Sequence, residues 1–137
     1  MDRFALVTVL EFSYGHRLLH YSGKCRHLHG HNGRLEVVIE ADRLDDIGMA
    51  LDFGQIKAGV GTWVGENLDH RMLLCDEDPL VPILRAADEP LYLMDANPTA
   101  ENIAKLIWSW ALGAGYPISE VRLWETSTAL ASYRGSE

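Results

Sequence analysis

From Arg34 to Asp42, apolar and polar side chains alternate. Leu35, Val37, Ile39 and Ala41 fall on one face, Arg34, Glu36 and Glu40 on the other, and only Val38 is out of step. Period two over this length dictates an extended strand with one buried face. Residues 3–14, rich in β-branched and aromatic side chains, make a second strand. The stretch 15–30 between them carries Gly15, Gly23 and Gly30 and is a connection, so the two strands pair as an antiparallel hairpin with a wide loop. A helix over 54–67 follows. Asp52 is its N-cap, and Ile56, Val60, Trp63, Val64 and Asn67 hold a 3.6-residue period. Gly59, Gly61 and Gly65 weaken that helix by about 1 kcal/mol each relative to alanine, unless packing needs small residues there.

The acidic, proline-marked excursion at 75–90 holds a short helix at 79–87, and Leu91–Met94 forms a short edge strand. Asn97-Pro98-Thr99 opens a second long helix. Its apolar stripe is Ile103, Leu106, Ile107, Trp110 and Ala111, and Gly113, Gly115 and Pro117 end it. Residues 120–125 alternate again, with Val121, Leu123 and Glu125 on one face, and 129–134 returns as a last strand. The order is ββααββ, which predicts one α+β domain over residues 1–137: a four-stranded antiparallel sheet with two helices on one face. The uncovered face and the sheet edges then call for a partner layer, and a homo-oligomer is expected.

Composition narrows the function classes. The net charge of −8 argues against a bulk nucleic-acid binder. It leaves room for an anionic small molecule, because Arg17, Lys24 and Arg26 make the local charge around 16–31 positive. No apolar run approaches the ~18 residues of a membrane span, and Met1-Asp2-Arg3-Phe4 lacks the pattern of a signal peptide. Cys25 and Cys75 are the two cysteines, too few for a disulfide framework, and a reduced cytoplasmic setting is expected.

The chemistry is concentrated in the hairpin connection, where five of the six histidines fall between residues 16 and 31. His29 and His31, two apart, share a face of an extended segment. His16 ends the first strand, and hairpin pairing brings it to that pair. Three imidazoles with an open fourth position form the arrangement of a catalytic rather than a structural zinc site. His27 is a rival at the same spacing, but it lies in the loop, and His20 has no partner by spacing. Cys25 is either a fourth ligand, which would close the site, or a free thiol favoured as thiolate by Lys24 and a nearby dication, and so a proton-abstracting base. Asp69 beside His70 orients an imidazole for proton transfer. Glu125 continues an inward-facing row, and a buried carboxylate needs donors. An amidine-like N–H pair, such as the 2-amino and N3 groups of a pterin, would supply them.

These residues together resemble the 6-pyruvoyl-tetrahydropterin synthase family, and within it the bacterial 6-carboxytetrahydropterin synthases of queuosine and deazapurine biosynthesis. The matches run nearly the whole chain: His16-Arg17-Leu18, Lys24-Cys25, Leu28-His29-Gly30-His31, Gly48-Met49 with Asp52-Phe53, Leu68-Asp69-His70, Asn97-Pro98-Thr99-Ala100-Glu101-Asn102, Trp124-Glu125-Thr126 and Tyr133-Arg134-Gly135. The resemblance implies the tunnelling fold, whose subunits associate into a barrel, commonly as paired trimers. It implies zinc on His16, His29 and His31, Cys25 as the base, and Asp69, His70 and Glu125 as a proton relay. It also implies Glu125 as the pterin anchor, with Thr99 and Glu101 near it; Lys24 and Arg26 are candidates for the triphosphate by proximity alone. The implied reaction turns 7,8-dihydroneopterin triphosphate and water into 6-carboxy-tetrahydropterin, acetaldehyde and triphosphate. The chain departs from many relatives at Tyr14-Gly15, where small residues are usual, and at Gly33, where an aromatic is frequent. It also departs at Arg71-Met72-Leu73-Leu74, which lacks an asparagine, and in the long acidic segment 75–96.

Overall fold

The computed structural model describes residues 1–136. The hairpin forms where the alternation demands it, and it is longer than either pattern alone. Strand β1 (Phe4–His16) pairs antiparallel with β2 (His29–Ala41) from Phe4↔Ala41 through to His16↔His29. The pairing runs through the glycine-containing ends of the connection, so only 17–28 remain as loop, with a single 3-10 turn at Lys24–Arg26.

Helix α1 (Phe53–Asn67) is capped by Asp52, whose side chain accepts the Gly54 N–H at 2.8 Å, and it buries Ile56, Val60 and Val64. Of its four glycines, Gly59 is the one that packing requires. A Cβ there would run into the Tyr116 hydroxyl, which donates to the Gln55 carbonyl at 3.1 Å. Strand β3 (Arg71–Cys75), helix α2 (Leu80–Ala86) and strand β4 (Leu91–Met94) follow. Helix α3 (Ala100–Gly113) is capped by Thr99, which accepts from the Asn102 N–H, and buries Ala100, Ile103, Ala104, Ile107 and Ala111. Strands β5 (Ile118–Thr126) and β6 (Ala129–Tyr133) complete the chain.

The α+β class stands, but the expected four-stranded antiparallel sheet with two helices is corrected. The sheet has six strands in the order β4-β3-β1-β2-β5-β6, it is mixed, and there are three helices. The antiparallel part is β1-β2-β5-β6; β3 pairs parallel with the end of β1, and β4 parallel with β3. The segment 71–75 gave no sign of this because it shows no alternation. Leu73 and Leu74 are both fully buried, as in strands covered on both faces. The short helix and the edge strand foreseen in 75–96 are the α2 and β4 of this parallel unit.

The core lies between the sheet and α1 and α3, with Leu35, Val37, Ile39, Val121 and Leu123 fully buried from the sheet side. On the opposite face Val7 and Val9 are exposed, and the buried Glu36 carboxylate is held by Trp124 Nε1 at 3.1 Å and by Arg34 and Arg122. Among the described residues, no helix is long and apolar enough to cross a membrane.

Arg17 is spoken for. Its guanidinium grips the Asp78 carboxylate through both Nε, at 2.8 Å, and Nη2, and Asp78 also accepts the Leu80 N–H at 2.8 Å. The pair ties the entrance of α2 to the end of β1. Burial alone would raise the Asp78 carboxyl, but the Arg17 hydrogen bonds, the Leu80 N–H and the Arg17 charge outweigh it and hold the pKa below the usual carboxylate range. A depressed folded-state pKa stabilises above the unfolded value of about 3.9 and is lost as pH falls through the folded one. Asp78→Asn is therefore expected to lower stability at pH 7 by about 2 kcal/mol. The loss should shrink as the pH is taken below about 4, which urea unfolding at pH 7 and pH 3 measures.

Candidate active site

Cross-strand register assembles the histidines. His16 pairs with His29, Tyr14 pairs with His31, and period two puts all four side chains on one face of the hairpin. One nitrogen from each of His16, His29 and His31 lies within 4.8 Å of the others. Two backbone carbonyls decide which nitrogens converge. His16 Nδ1 lies 2.6 Å from the Pro98 carbonyl, and His29 Nδ1 lies 2.7 Å from the His27 carbonyl. A carbonyl can only accept, so each Nδ1 carries the proton and each Nε2 keeps its lone pair. All three Nε2 atoms are buried without a hydrogen-bond partner. Carbonyl-oriented imidazoles with convergent, unpartnered lone pairs are what a borderline metal such as zinc binds. The donor set fits a metal ion. His31 is held below the usual imidazole range, chiefly by burial, with Glu125 opposing and His16 and His29 adding to it. That keeps it neutral, as ligation requires.

Glu125 joins this centre from β5. Its Oε2 is 3.0 Å from His31 Nε2 and 3.3 Å from His16 Nε2. Its carboxyl is held below the usual carboxylate range, chiefly by the neighbouring His16 imidazole, with burial opposing and His31 and His29 adding to the effect. Asp69 and His70 come from the turn after α1. Ser13 N–H donates to Asp69 Oδ1 at 2.8 Å, and His70 N–H donates to the Ser13 carbonyl at 2.6 Å, which fastens the turn to β1. His70 Nδ1 lies 3.0 Å from Asp69 Oδ2. His70 also has φ +57°, a left-handed conformation that costs a β-carbon residue on the order of 1 kcal/mol or more and that gathers at functional sites. The carboxyl of Asp69 is lowered by Ser13 and His70 against the effect of burial.

A cleft of about 810 Å³ opens beside the histidines, lined by His29, His31, His70 and Tyr14, and on its far wall by Leu84 and Pro90 from the α2 region. The excursion at 75–96 thus builds part of the cleft. Cys25 is half-buried in the 3-10 turn and is a free thiol, while Cys75 is buried in β3. Lys24 is exposed in the same turn, as is Arg26, which donates to the Ser22 carbonyl. Glu101 is exposed on the first turn of α3. Among the described residues, Cys25, Lys24, Thr99 and Glu101 do not line the cleft.

Asn97-Pro98-Thr99 does more than start a helix. Asn97 accepts the Leu19 N–H and donates to the Leu19 carbonyl, both at 2.9 Å, and Asn102 secures it by donating to its own carbonyl. The loop that follows His16 is thus clamped to the start of α3, next to the Pro98 carbonyl that orients His16. Sequence reasoning missed these backbone supports, because a carbonyl leaves no side-chain signature. It also missed the position of Tyr14, buried against His16 and His31 with ring centroids 5.3 and 5.7 Å away.

A curled mixed sheet whose hairpin brings three histidines together, two of them oriented by backbone carbonyls, defines an α+β domain that could hold a metal ion. Comparison with known proteins gives it a family. A model described as 6-pyruvoyl tetrahydropterin synthase matches residues 6–136, and the chain belongs to that family. It is 37% identical over 124 residues to a protein of Rickettsia felis named 6-carboxy-5,6,7,8-tetrahydropterin synthase, covering 85% of this chain and 90% of that one. A protein of the same name from Synechocystis is 35% identical, covering 90% and 88%. Among solved structures, 6-pyruvoyl tetrahydropterin synthase from Caenorhabditis elegans superposes with a TM-score of 0.74 at 26% identity, covering 99% of this chain and 98% of that one. The Plasmodium vivax protein of that name superposes at 0.76 and 15% identity, covering 100% of both, a likeness of fold.

Proposed function

We propose that this chain is a zinc-dependent lyase that converts 7,8-dihydroneopterin triphosphate and water into 6-carboxy-5,6,7,8-tetrahydropterin, acetaldehyde and triphosphate. The observation that carries the reading is the set of three buried, convergent Nε2 atoms on a hairpin whose relatives bear the 6-carboxytetrahydropterin synthase name. The reaction balances without an external oxidant or reductant. The pterin ring gains the electrons that the side-chain carbon loses on becoming a carboxylate, two carbons leave as acetaldehyde, and the phosphates leave as triphosphate.

A zinc ion on His16, His29 and His31 would acidify the side-chain hydroxyls and polarise the developing carbonyl. The Cys25 thiolate takes a proton from the side chain. His70, turned by its bond to Asp69, exchanges a proton at Nε2 from another side of the cleft. The Glu125 carboxylate accepts from the 2-amino and N3–H groups of the pterin and shares in the relay. The Thr99 hydroxyl still has its proton to donate, and Glu101 is free in solvent, so both are available to the pterin end. With Arg17 tied to Asp78, Lys24 and Arg26 are the loop cations left for the triphosphate.

Copies of the chain associate, in this reading, as paired trimers through the open sheet face and edges. The exposed Val7 and Val9 beside the buried Glu36 cluster, and a His70 imidazole 79% exposed in the single chain, favour a covering partner. The reaction is tested by incubating zinc-loaded protein with dihydroneopterin triphosphate and identifying products by mass spectrometry. The carboxy-pterin with acetaldehyde is expected. A pyruvoyl product would assign the sibling reaction instead, and pterin binding without any product would leave a non-catalytic paralogue.

A further inference from the structure

The loop between β1 and β2 has almost no core of its own. From His20 to Leu28 every residue is exposed except Gly23 and Cys25, which are half-buried. His20 also takes φ +59°, a left-handed turn that a residue with a β-carbon resists. Neither burial nor backbone preference gives this segment its course, so its hydrogen bonds must. Some close the loop on itself: Leu18 N–H donates to the Cys25 carbonyl at 2.8 Å, Arg26 N–H to the Gly23 carbonyl at 3.2 Å and His27 N–H to the Lys24 carbonyl at 3.1 Å. The first of these ties the thiol-bearing residue to Leu18. Among the described residues, one side chain from the rest of the molecule then hydrogen-bonds to the segment 18–26, and it is Asn97.

Asn97 uses its whole amide on a single residue. Its Oδ1 accepts the Leu19 N–H and its Nδ2 donates to the Leu19 carbonyl, both at 2.9 Å. Only one orientation of the amide satisfies both. The Asn97 backbone is fixed in turn, because its carbonyl accepts the Thr99 N–H at 2.8 Å and Asn102 Nδ2 at 2.9 Å at the start of α3. The next carbonyl along the chain, that of Pro98, is the one 2.6 Å from His16 Nδ1. An unbroken run of bonds thus leads from His16 through Pro98, Asn97, Leu19 and Leu18 to Cys25, and its middle link is one amide.

We propose that Asn97 is a positioning residue for Cys25: by holding both backbone groups of Leu19, its side chain fixes the loop that carries the thiol against the start of α3, beside the carbonyl that orients His16. The proposal rests on the reading given above for the thiol's part in the reaction, and on the hydrogen bonds alone for its placement.

The test uses the full, zinc-loaded chain with Asn97→Ala and Asn97→Asp, and follows alkylation of each cysteine by iodoacetamide with peptide mass spectrometry. Asn97→Asp is the discriminating variant: it keeps the size and the acceptor but sets a second oxygen against the Leu19 carbonyl. Both variants should alkylate Cys25 about ten-fold faster, the scale of a lost neutral hydrogen bond, and deuterium exchange should quicken across 18–26. Cys75, buried in β3, serves as the internal control and should stay unreactive. Zinc content should hold, and turnover of dihydroneopterin triphosphate at saturation should fall about ten- to a hundred-fold, as a misplaced reacting group costs. Asn102→Ala frees the Asn97 carbonyl but leaves the amide, so it should loosen the loop more mildly, and it replaces the other two if position 97 does not tolerate change. An unchanged Cys25 rate, an Asn97→Asp protein that behaves as wild type, or Cys75 opening together with Cys25 would overturn the proposal, as would a loosened loop with full turnover. A loosened loop in a chain whose wild type turns over no pterin would support the placement while rejecting the reaction.

Discussion

His29→Ala will weaken zinc binding by about a thousand-fold or more and abolish turnover, with the fold retained. Loss of a supporting group behind a ligand already costs about 10- to 100-fold in metal affinity, and in the proposed site His29 is one of three ligands rather than a support. Its Nε2 converges with those of His16 and His31, and its Nδ1 is fixed by the His27 carbonyl. The residue is half-buried at the mouth of the hairpin connection, unlike His16 at 2% exposure, so its removal leaves the core intact. Competition with a chelator of known affinity gives the dissociation constant, and circular dichroism checks the fold. Near-wild-type zinc affinity in this variant would mean that the triad is not the ligand set.

The second large effect is at Cys25. Cys25→Ala should keep its zinc and lose turnover by on the order of a thousand-fold, within the range that a positioned acid or base contributes. The thiol sits in the turn at Lys24–Arg26, outside the triad and half-buried. Metal analysis and steady-state rates on the same preparation separate the two roles open to it. A variant that loses zinc makes Cys25 a ligand, and one that keeps both zinc and activity removes it from the chemistry.

What the sequence made legible was local or set by strict alternation. The hairpin, the cap at Asp52, the helix start at Asn97-Pro98-Thr99 (capped by Thr99 of the two candidates Asn97 and Thr99), the stripes of α1 and α3 and the histidine triad all follow from short local patterns. The parallel unit β3-α2-β4 was only partly visible. A five-residue strand buried on both faces has no period, and its partner, the end of β1, is some sixty residues away in sequence. The triad could be proposed from spacing plus hairpin pairing, but the Pro98 and His27 carbonyls that choose the ligating nitrogens belong to the backbone and leave no mark in side-chain identity. Asp69 and His70 were singled out as a pair; that Ser13 fastens them to the same strand as His16 is a consequence of the fold. Tyr14 stands out in the sequence as a departure, and its packing against His16 and His31 is a consequence of the hairpin register.

Zinc reconstitution tests most directly whether one centre performs one reaction. Protein stripped of metal by a chelator and given dihydroneopterin triphosphate should yield no acetaldehyde. Added zinc should restore acetaldehyde and 6-carboxy-tetrahydropterin in equal amounts, rising linearly to a plateau at one zinc per triad. Acetaldehyde release at the full rate from the stripped protein, or zinc-saturated protein that leaves the substrate untouched, would contradict it.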